Sequence, residues 1–261
     1  MKCVILAAGM ATRMASRTGG LPKCLLVVGG KPILQRIIEN VTSAGIAEII
    51  LVLGYKADAV RRFVKATFPF HRIRFAVNPK FESTNNAFSL LMARNHVVET
   101  LKVPPAPHEL LLLDADIVFS PLLLPSIMKH PSPDKVAVRV RGGHDEEEVR
   151  IRMDASGSIR QIGKNMPISE SHGESVGIEM FSSKTAQRLF EVLEHRVRSG
   201  EGRSEFYEAA FQSLVDEGIT LHAVDVSDYP SIEIDTPEDL DIAERIIAPQ
   251  LREGSLPKRG L

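Results

Sequence analysis

Short apolar runs alternate with stretches of helical period through the first half of the chain. Residues 3–7 (CVILA) predict a strand. Residues 32–42 predict a helix, with Ile33, Leu34, Ile37, Ile38 and Val41 on one face and Pro32 near its start. Glu48–Leu53, Arg72–Val77 and residues 110–113 read as further strands, separated by helical patterns over residues 57–66 and 85–96. This alternation predicts a parallel sheet covered by helices on both faces. Ligands of such sheets bind beyond the carboxyl ends of the strands.

After residue 130 the pattern changes. Residues 135–140, 149–154 and 159–162 alternate apolar with polar, and Ala155-Ser156-Gly157 is a turn signal, so this part reads as antiparallel. Helices follow at Ser183–Ser199 and residues 204–217, then strands at residues 220–224 and 232–234. The last helix opens at Thr236-Pro237-Glu238-Asp239, a capping box with proline at its first position. The fold expected is α/β and Rossmann-like. It is a mixed, mainly parallel sheet with helices on both faces and a small antiparallel part. Residues 1–250 form one domain in this reading, with halves at 1–130 and 131–235 and a closing helix at 236–250. Residues 251–261 are a loose polar tail.

Composition narrows the function classes. The 261 residues are 44% hydrophobic, enough for a sizeable core, and the net charge of -1 with a pI near 6.7 argues against nucleic acid as a partner. The N-terminal apolar run is too short for a signal peptide, and no run approaches the length of a membrane span. Cys3 and Cys24 have no metal or redox spacing and are expected as buried thiols in a reducing cytoplasm.

Five segments carry candidate chemistry. In LAAGMATRM, residues 6–14, strand one gives way to small residues before Arg13, and Leu21-Pro22-Lys23 follows. Small residues let backbone N–H groups approach a phosphate or base, and Lys23 behind a proline offers a point charge for polyphosphate. An ordinary βα turn with solvated Arg13 and Lys23 fits the same residues. The second segment, LLLLDADIVF, brings Asp114 and Asp116 to a strand's carboxyl end, on one side if the strand continues that far. Paired carboxylates there suit Mg²⁺, or one of them caps the helix near Pro121. In the third, Asp235 ends a late strand, where it helps start the next helix or closes a metal site with Asp116. The fourth is Gly163-Lys164-Asn165, followed by Glu174-Ser175-Val176-Gly177, with Lys164 available to a second anion or to solvent. The fifth runs from Asn78-Pro79 to Thr84-Asn85-Asn86, whose side chains cap a helix or read a base or ribose.

Together these pieces resemble the nucleotidyltransferase family that makes nucleoside-diphosphate sugars and CDP-alcohols, with its GT-A-like fold. The matching elements are LAAGMATRM, LPKCLLVVGGKPIL, AGIAEIILVLGY, LLLLDADIVF and EIDTPEDLDIA, and they span nearly the whole chain. The second half is most similar to the cytidylyltransferases of phosphocholine, 2-aminoethylphosphonate and inositol phosphate, through NPKFESTNNAFSLLMAR, IGKN, GESVGIEMF and EFYEAAF. The resemblance implies that Leu6, Ala7, Ala8 and Gly9 cradle the nucleotide, with Arg13 and Lys23 on its triphosphate and Asn85 near the nucleoside. It implies Asp116 and Asp235 as Mg²⁺ ligands, with Asp114 a weaker candidate. Lys164 would hold the acceptor's phosphate or phosphonate, in a pocket with Glu174, Gly177 and Glu208. Ala11 stands where the family usually has a second glycine, which puts nucleotide affinity in question.

The reaction this implies is attack of an acceptor phosphate or phosphonate oxygen on the α-phosphorus of CTP, with pyrophosphate leaving. No Ser-His-Asp or Cys-His pattern suggests a protein nucleophile. The chain has no Trp and only three Tyr, which weighs against an aromatic box for choline. Glu205 and Glu208 suit a primary ammonium or simply form a solvated helix face; 2-aminoethylphosphonate or a related amino-alcohol phosphate is the leading acceptor, with inositol phosphate and phosphocholine close behind. The rivals are a hexose-1-phosphate uridylyl- or thymidylyltransferase, an inactive nucleotide-binding regulatory domain, and a generic open-sheet binding protein. The expected partners are small molecules in the cytoplasm, and a homodimer is compatible with the sequence.

Overall fold

The computed structural model describes residues 1–10, 12–98, 110–140 and 149–252. Ala11 therefore lies outside the described residues, as does most of the expected tail. Strand β1 (Lys2–Ala7) is central, and its apolar run is buried throughout. A small hairpin, β2 (Val27–Val28) and β3 (Lys31–Pro32), precedes β4 (Glu48–Leu53) and β5 (Arg72–Val77). Next come β6 (Leu110–Asp114), β7 (Ile117–Phe119), β8 (Lys135–Arg139), β9 (Arg150–Met153) and β10 (Ile159–Gly163). The series ends with β11 (Gly173–Phe181), β12 (His222–Asp225) and β13 (Ser231–Glu233).

Strands β5, β4, β1 and β6 lie side by side and parallel. The antiparallel strands are not a separate sheet. β11 pairs antiparallel with β6 and carries β8 and β9 into one nine-stranded sheet, closed by β12 parallel to β8. The chain steps from β1 to β4 and β5 on one side, then returns to β6 on the other. That reversal leaves a crevice at the carboxyl ends of β1 and β6, where open α/β sheets bind ligands.

The helices are α1 (Ala15–Thr18), α2 (Ile33–Ser43), α3 (Ala57–Thr67), α4 (Asn86–Leu91), α5 (Arg94–Val98) and α6 (Leu123–Lys129). They continue with α7 (Ser183–Ser199), α8 (Glu208–Asp216) and α9 (Pro237–Ile242), then a π-helical turn, Ala243–Ile247, and α10 (Ala248–Arg252). Strand alternation divides the core in two. Cys3, Ile5, Leu111 and Leu113 pack with α2, α3 and α6, while Val4, Leu6, Leu110 and Leu112 pack with α4, α5, α7 and α8. Both thiols are buried and unpaired.

The helix expected over residues 85–96 is broken at Met92–Ala93, and the one expected from residue 204 begins only at Glu208. The stretch 203–207 is tied at both ends to the start of α4 instead: Asn85 N donates to Arg203 O at 2.8 Å, and Tyr207 N donates to Asn86 Oδ1 at 2.8 Å. Strand β11 was not anticipated. Its apolar positions are interrupted by Gly177, where the register shifts between Ser175 and Glu179.

Candidate active site

A cleft of about 430 Å³ lies over the crevice between β1 and β6. Gly9 forms part of its floor, and a Cβ built there would meet no described atom within 4 Å. Its backbone is thus open to a close-approaching ligand. Arg13 comes from a short 3₁₀ turn, Thr12–Met14, and Lys23 from another, Lys23–Leu25, behind Pro22. Both side chains line the cleft.

The expectation that Asp114 and Asp116 share one strand face does not hold. β6 ends at Asp114, a turn carries Ala115 and Asp116, and β7 then begins. The two acids meet different partners. Tyr207 donates its hydroxyl to Asp114 Oδ2 at 2.8 Å. Lys23 Nζ donates to Asp116 Oδ2 at 2.7 Å and also to Asp235 Oδ1, while Arg13 Nη2 reaches Asp235 Oδ2 at 3.1 Å.

Asp116 and Asp235, 119 positions apart in sequence, are brought together by backbone pairing. β13 lies antiparallel to β7 with Glu233 opposite Ile117, and Ile234 N donates to Asp116 O at 3.0 Å. Just beyond, the capping box of α9 fixes the backbone. Asp239 Oδ2 accepts from Asp235 N at 3.0 Å and from Thr236 N at 2.7 Å, while Thr236 Oγ1 accepts from Asp239 N at 3.2 Å. Asp235 thus has Asp239 beneath its backbone N–H and two cations on its side chain.

Glu233, which the sequence reading passed over, completes the cluster. Oxygens of Asp116, Glu233 and Asp235 all lie within 4.8 Å of one another. The Glu-Ile-Asp alternation is the signal that could have found it, because residues two apart on a strand point the same way. Burial would pull the Lys23 ammonium down, but the charges of Asp116 and Asp235 and their hydrogen bonds hold it well above its usual value. The same Lys23 charge, with Arg13 and Lys164, keeps Asp235 below the usual carboxylate range despite burial. Glu233 is exposed as a residue, yet desolvation of its carboxyl inside the cleft, then the charges of Asp116 and Asp235, push it up to about 8.

Asp116 Oδ1 is buried and has no hydrogen-bond partner. An orphaned carboxylate oxygen facing two further carboxylates is a hard, oxygen-only donor set, which fits Mg²⁺. Asp116, Asp235 and Glu233 are the residues that would hold it.

Across the cleft, Lys164 Nζ stands 4.1 Å from the centroid of the Phe206 ring. Both residues also line a second cavity of about 890 Å³ between the β9–β10 hairpin and α8, where Glu208 is found. Glu208 is buried with Oε2 unpartnered, and desolvation pushes its carboxyl up to about 7, against the opposing pull of a backbone hydrogen bond and Lys164. Asn85 lines the main cleft and caps α4, its Oδ1 accepting from Asn86 N at 2.8 Å. Leu6 and Ala8 line the cleft too, whereas Ala7 faces a small neighbouring cavity beside Cys24.

Two expected residues lie elsewhere, and a third is already paired. Glu174 is buried against Arg139, whose Nη1 donates to Oε1 at 2.5 Å and whose Nη2 holds Ser231 O at 2.8 Å. It thus supports the strand that carries Glu233 instead of lining the cleft. Gly177 sits behind Asp114 at φ +69°, and a Cβ there would come within 2.9 Å of Asp114 Oδ2. Glu205 lines the second cavity, but it is held by both Nε and Nη2 of Arg196, at 2.8 and 2.7 Å.

Cationic side chains and carboxylates facing one crevice of an open α/β sheet suit phosphates and a hard cation. The chain belongs to the MobA-like NTP transferase domain family, whose pattern matches residues 3–207, and is thereby a nucleotidyltransferase by family. It is 27% identical over 249 residues to CMP-5'-(3-aminopropyl)phosphonate synthase of Streptomyces rubellomurinus, covering 92% of this chain but only 37% of that longer protein. It is 26% identical over 231 residues to 2-aminoethylphosphonate cytidylyltransferase of Lancefieldella rimae, covering 88% of this chain and 87% of that one. Among solved structures, the inositol-1-phosphate CTP transferase from T. maritima superposes with a TM-score of 0.77 at 20% identity, over 97% of this chain and 96% of that one. That likeness shows the fold, mixed α/β with a large, mainly parallel sheet. Among the described residues no helix is long and apolar enough to cross a membrane.

Proposed function

We propose that this protein is a Mg²⁺-dependent cytidylyltransferase that moves CMP from CTP to the phosphate or phosphonate oxygen of a small acceptor. The observation that carries this reading is the Arg13–Lys23–Asp116–Asp235 constellation facing Lys164 across one cleft. The CMP product and the cytidylyltransferase in the relatives' names favour CTP as donor and amino-alkyl phosphonates among the acceptors.

In this reading the acceptor oxygen bonds to the α-phosphorus, the bond from α-phosphorus to the bridging oxygen breaks, and pyrophosphate departs with that electron pair. The acceptor oxygen is already anionic near neutral pH, so no residue has to remove a proton from it. The protein's task is to bring two anions together. Gly9 and its neighbours leave backbone open to the nucleotide, Arg13 and Lys23 neutralise its phosphates, and Asn85 lies on the nucleoside side. Lys164, steadied over Phe206, neutralises the acceptor's phosphate or phosphonate. A bound Mg²⁺ would supply Lewis-acid stabilisation of charge on phosphate oxygens. Glu208, whose buried Oε2 lacks a partner beside Lys164 and Phe206, is the acid best suited to an acceptor's ammonium. That favours 2-aminoethylphosphonate and its amino-alkyl relatives over inositol phosphate.

The test is pyrophosphate release with Mg²⁺, pairing CTP, UTP, GTP and ATP in turn with 2-aminoethylphosphonate, phosphocholine, inositol-1-phosphate and glucose-1-phosphate. Turnover confined to CTP, and greatest with the aminophosphonate, is the expected result. Turnover with UTP and glucose-1-phosphate would overturn the cytidylyl reading.

A further inference from the structure

We infer that Lys23 is a built-in occupant of the cation position between Asp116 and Asp235, so that a divalent ion enters the site only together with a nucleotide that draws Lys23 away. The inference rests on the metal-site reading above and concerns how that site is kept closed before substrate arrives.

Lys23 Nζ bonds both Asp116 Oδ2, at 2.7 Å, and Asp235 Oδ1. It therefore stands on the carboxylate pair that a metal would need, and its side chain is only 15% exposed. Arg13 Nη2 takes the other oxygen of Asp235 at 3.1 Å. A divalent ion approaching this pair meets an ammonium at ligand distance, and two cations so close repel strongly in a part-buried site. The carboxylates already have their charge balanced, so the ion gains little by entering alone.

The arrangement is also built to open. Pro22 and a single 3₁₀ turn fix the Lys23 backbone beside the end of β1, while its four-carbon stem lets the ammonium swing. Lys23 lines the same cleft as Gly9 and Arg13, where phosphates would offer it new anions. Once Lys23 turns to a phosphate, Asp116 Oδ2 and Asp235 Oδ1 join the already orphaned Asp116 Oδ1 as ligand atoms. Nucleotide and metal are thereby coupled, and the coupling is reciprocal. The free protein keeps its acids from collecting a stray divalent ion.

The experiment measures Mn²⁺ binding by electron paramagnetic resonance and water-proton relaxation, in wild type, Lys23→Met and Lys23→Gln, first with no nucleotide. Wild type is expected to bind Mn²⁺ alone weakly, and each variant at least about tenfold more tightly, as the loss of one close like charge implies. Thermal melts give a second readout independent of activity. Mn²⁺ alone should raise the melting temperature of the variants, whose acids have lost their cation, and leave wild type nearly unchanged. Variants that bind Mn²⁺ no more tightly than wild type overturn the role of Lys23, while binding in the presence of CTP keeps the metal site standing. Absence of protein-bound Mn²⁺ in all three proteins, with and without CTP, removes the metal-site reading itself.

Discussion

Tyr207 and Asp114 are joined by a 2.8 Å hydrogen bond that links the residue before α8 to the last residue of the central strand β6. Tyr207 is fully buried, and its backbone N–H is held by Asn86 at the start of α4. One residue therefore ties the start of α8 to both the end of β6 and the start of α4. Asp114 is held well above the usual carboxylate range by burial and then by the charges of Asp116, Glu179, Glu233 and Glu208. Tyr207→Phe should destabilise the protein by about 1–2 kcal/mol, the scale of a buried polar group left without its partner. Chemical denaturation of Tyr207→Phe, Asp114→Asn and the double variant would check it. A coupling energy near zero would mean that the bond is incidental.

Gly177 makes room for that pair. Its φ of +69° is a left-handed conformation, and an added Cβ would lie 2.9 Å from both Asp114 Oδ2 and Ile117 Cδ1. Gly177→Ala meets both penalties, the backbone strain and the forced shift of a part-buried carboxylate. A loss of about 2 kcal/mol or more is expected by thermal or urea unfolding. A variant as stable as wild type would show that the bulge in β11 is free to move.

The fold was readable where local pattern and tertiary role agree. Glu48–Leu53, Arg72–Val77 and Ser183–Ser199 were placed to the residue, because each is a clean run of one period between turn signals. β11 escaped because Gly177 breaks its alternation, and the stretch before Glu208 escaped because Ser204 O and Tyr207 N bond to Asn85 and Asn86 at the start of α4. The site was readable in part for a related reason. Lys23 directly follows Pro22, Asp235 stands just before Thr236-Pro237, and Asp116 follows the buried run of residues 110–113, and with Arg13 they do converge. Glu233 looked like one more strand residue, since only the β7–β13 ladder turns it towards Asp116. Glu174 and Glu205 are neutralised by Arg139 and Arg196, contacts between different elements that no single strand or helix period announces.

Asp116→Ala and Asp235→Ala should each lower turnover by about 10²-fold or more while leaving the circular dichroism spectrum unchanged. Both carboxylates are part-exposed and rest on a backbone ladder that their side chains do not build. A variant turning over near the wild-type rate in saturating Mg²⁺ would remove that residue from the metal-holding set.

Lys164→Ala should raise the KM of the acceptor about tenfold and leave that of CTP within about twofold, the mark of a charge that meets one substrate. Its ammonium lies over Phe206, on the side of the cleft shared with the second cavity. Steady-state kinetics with each substrate varied in turn distinguish the cases. An effect confined to CTP would move Lys164 to the nucleotide.

Glu208 gives the protein a stability that depends on pH in a defined direction. Its carboxyl rises from the ordinary 4.5 to about 7 in the folded state, chiefly by desolvation. Below pH 4.5 the group is protonated both folded and unfolded, and contributes nothing. Between 4.5 and 7 the unfolded chain gives up its proton while the folded protein retains it, so stability falls as pH rises. Above 7 the loss is complete and flat. Glu208→Gln removes this dependence. The variant should therefore gain stability over wild type with rising pH, reaching at most about 3 kcal/mol at pH 8, from a shift of this size at about 1.4 kcal/mol per unit. Glu179, also buried and raised by burial and by the charge of Glu208, adds a contribution of the same sign. Because the two acids repel, removing Glu208 also eases Glu179, so Glu208→Gln and Glu179→Gln together should stabilise less than the sum of the single changes. Urea unfolding of the four proteins at pH 5 and pH 8 decides the matter. A Glu208→Gln variant that is less stable than wild type at pH 8 would mean that the buried carboxylate has a cationic partner in the folded protein.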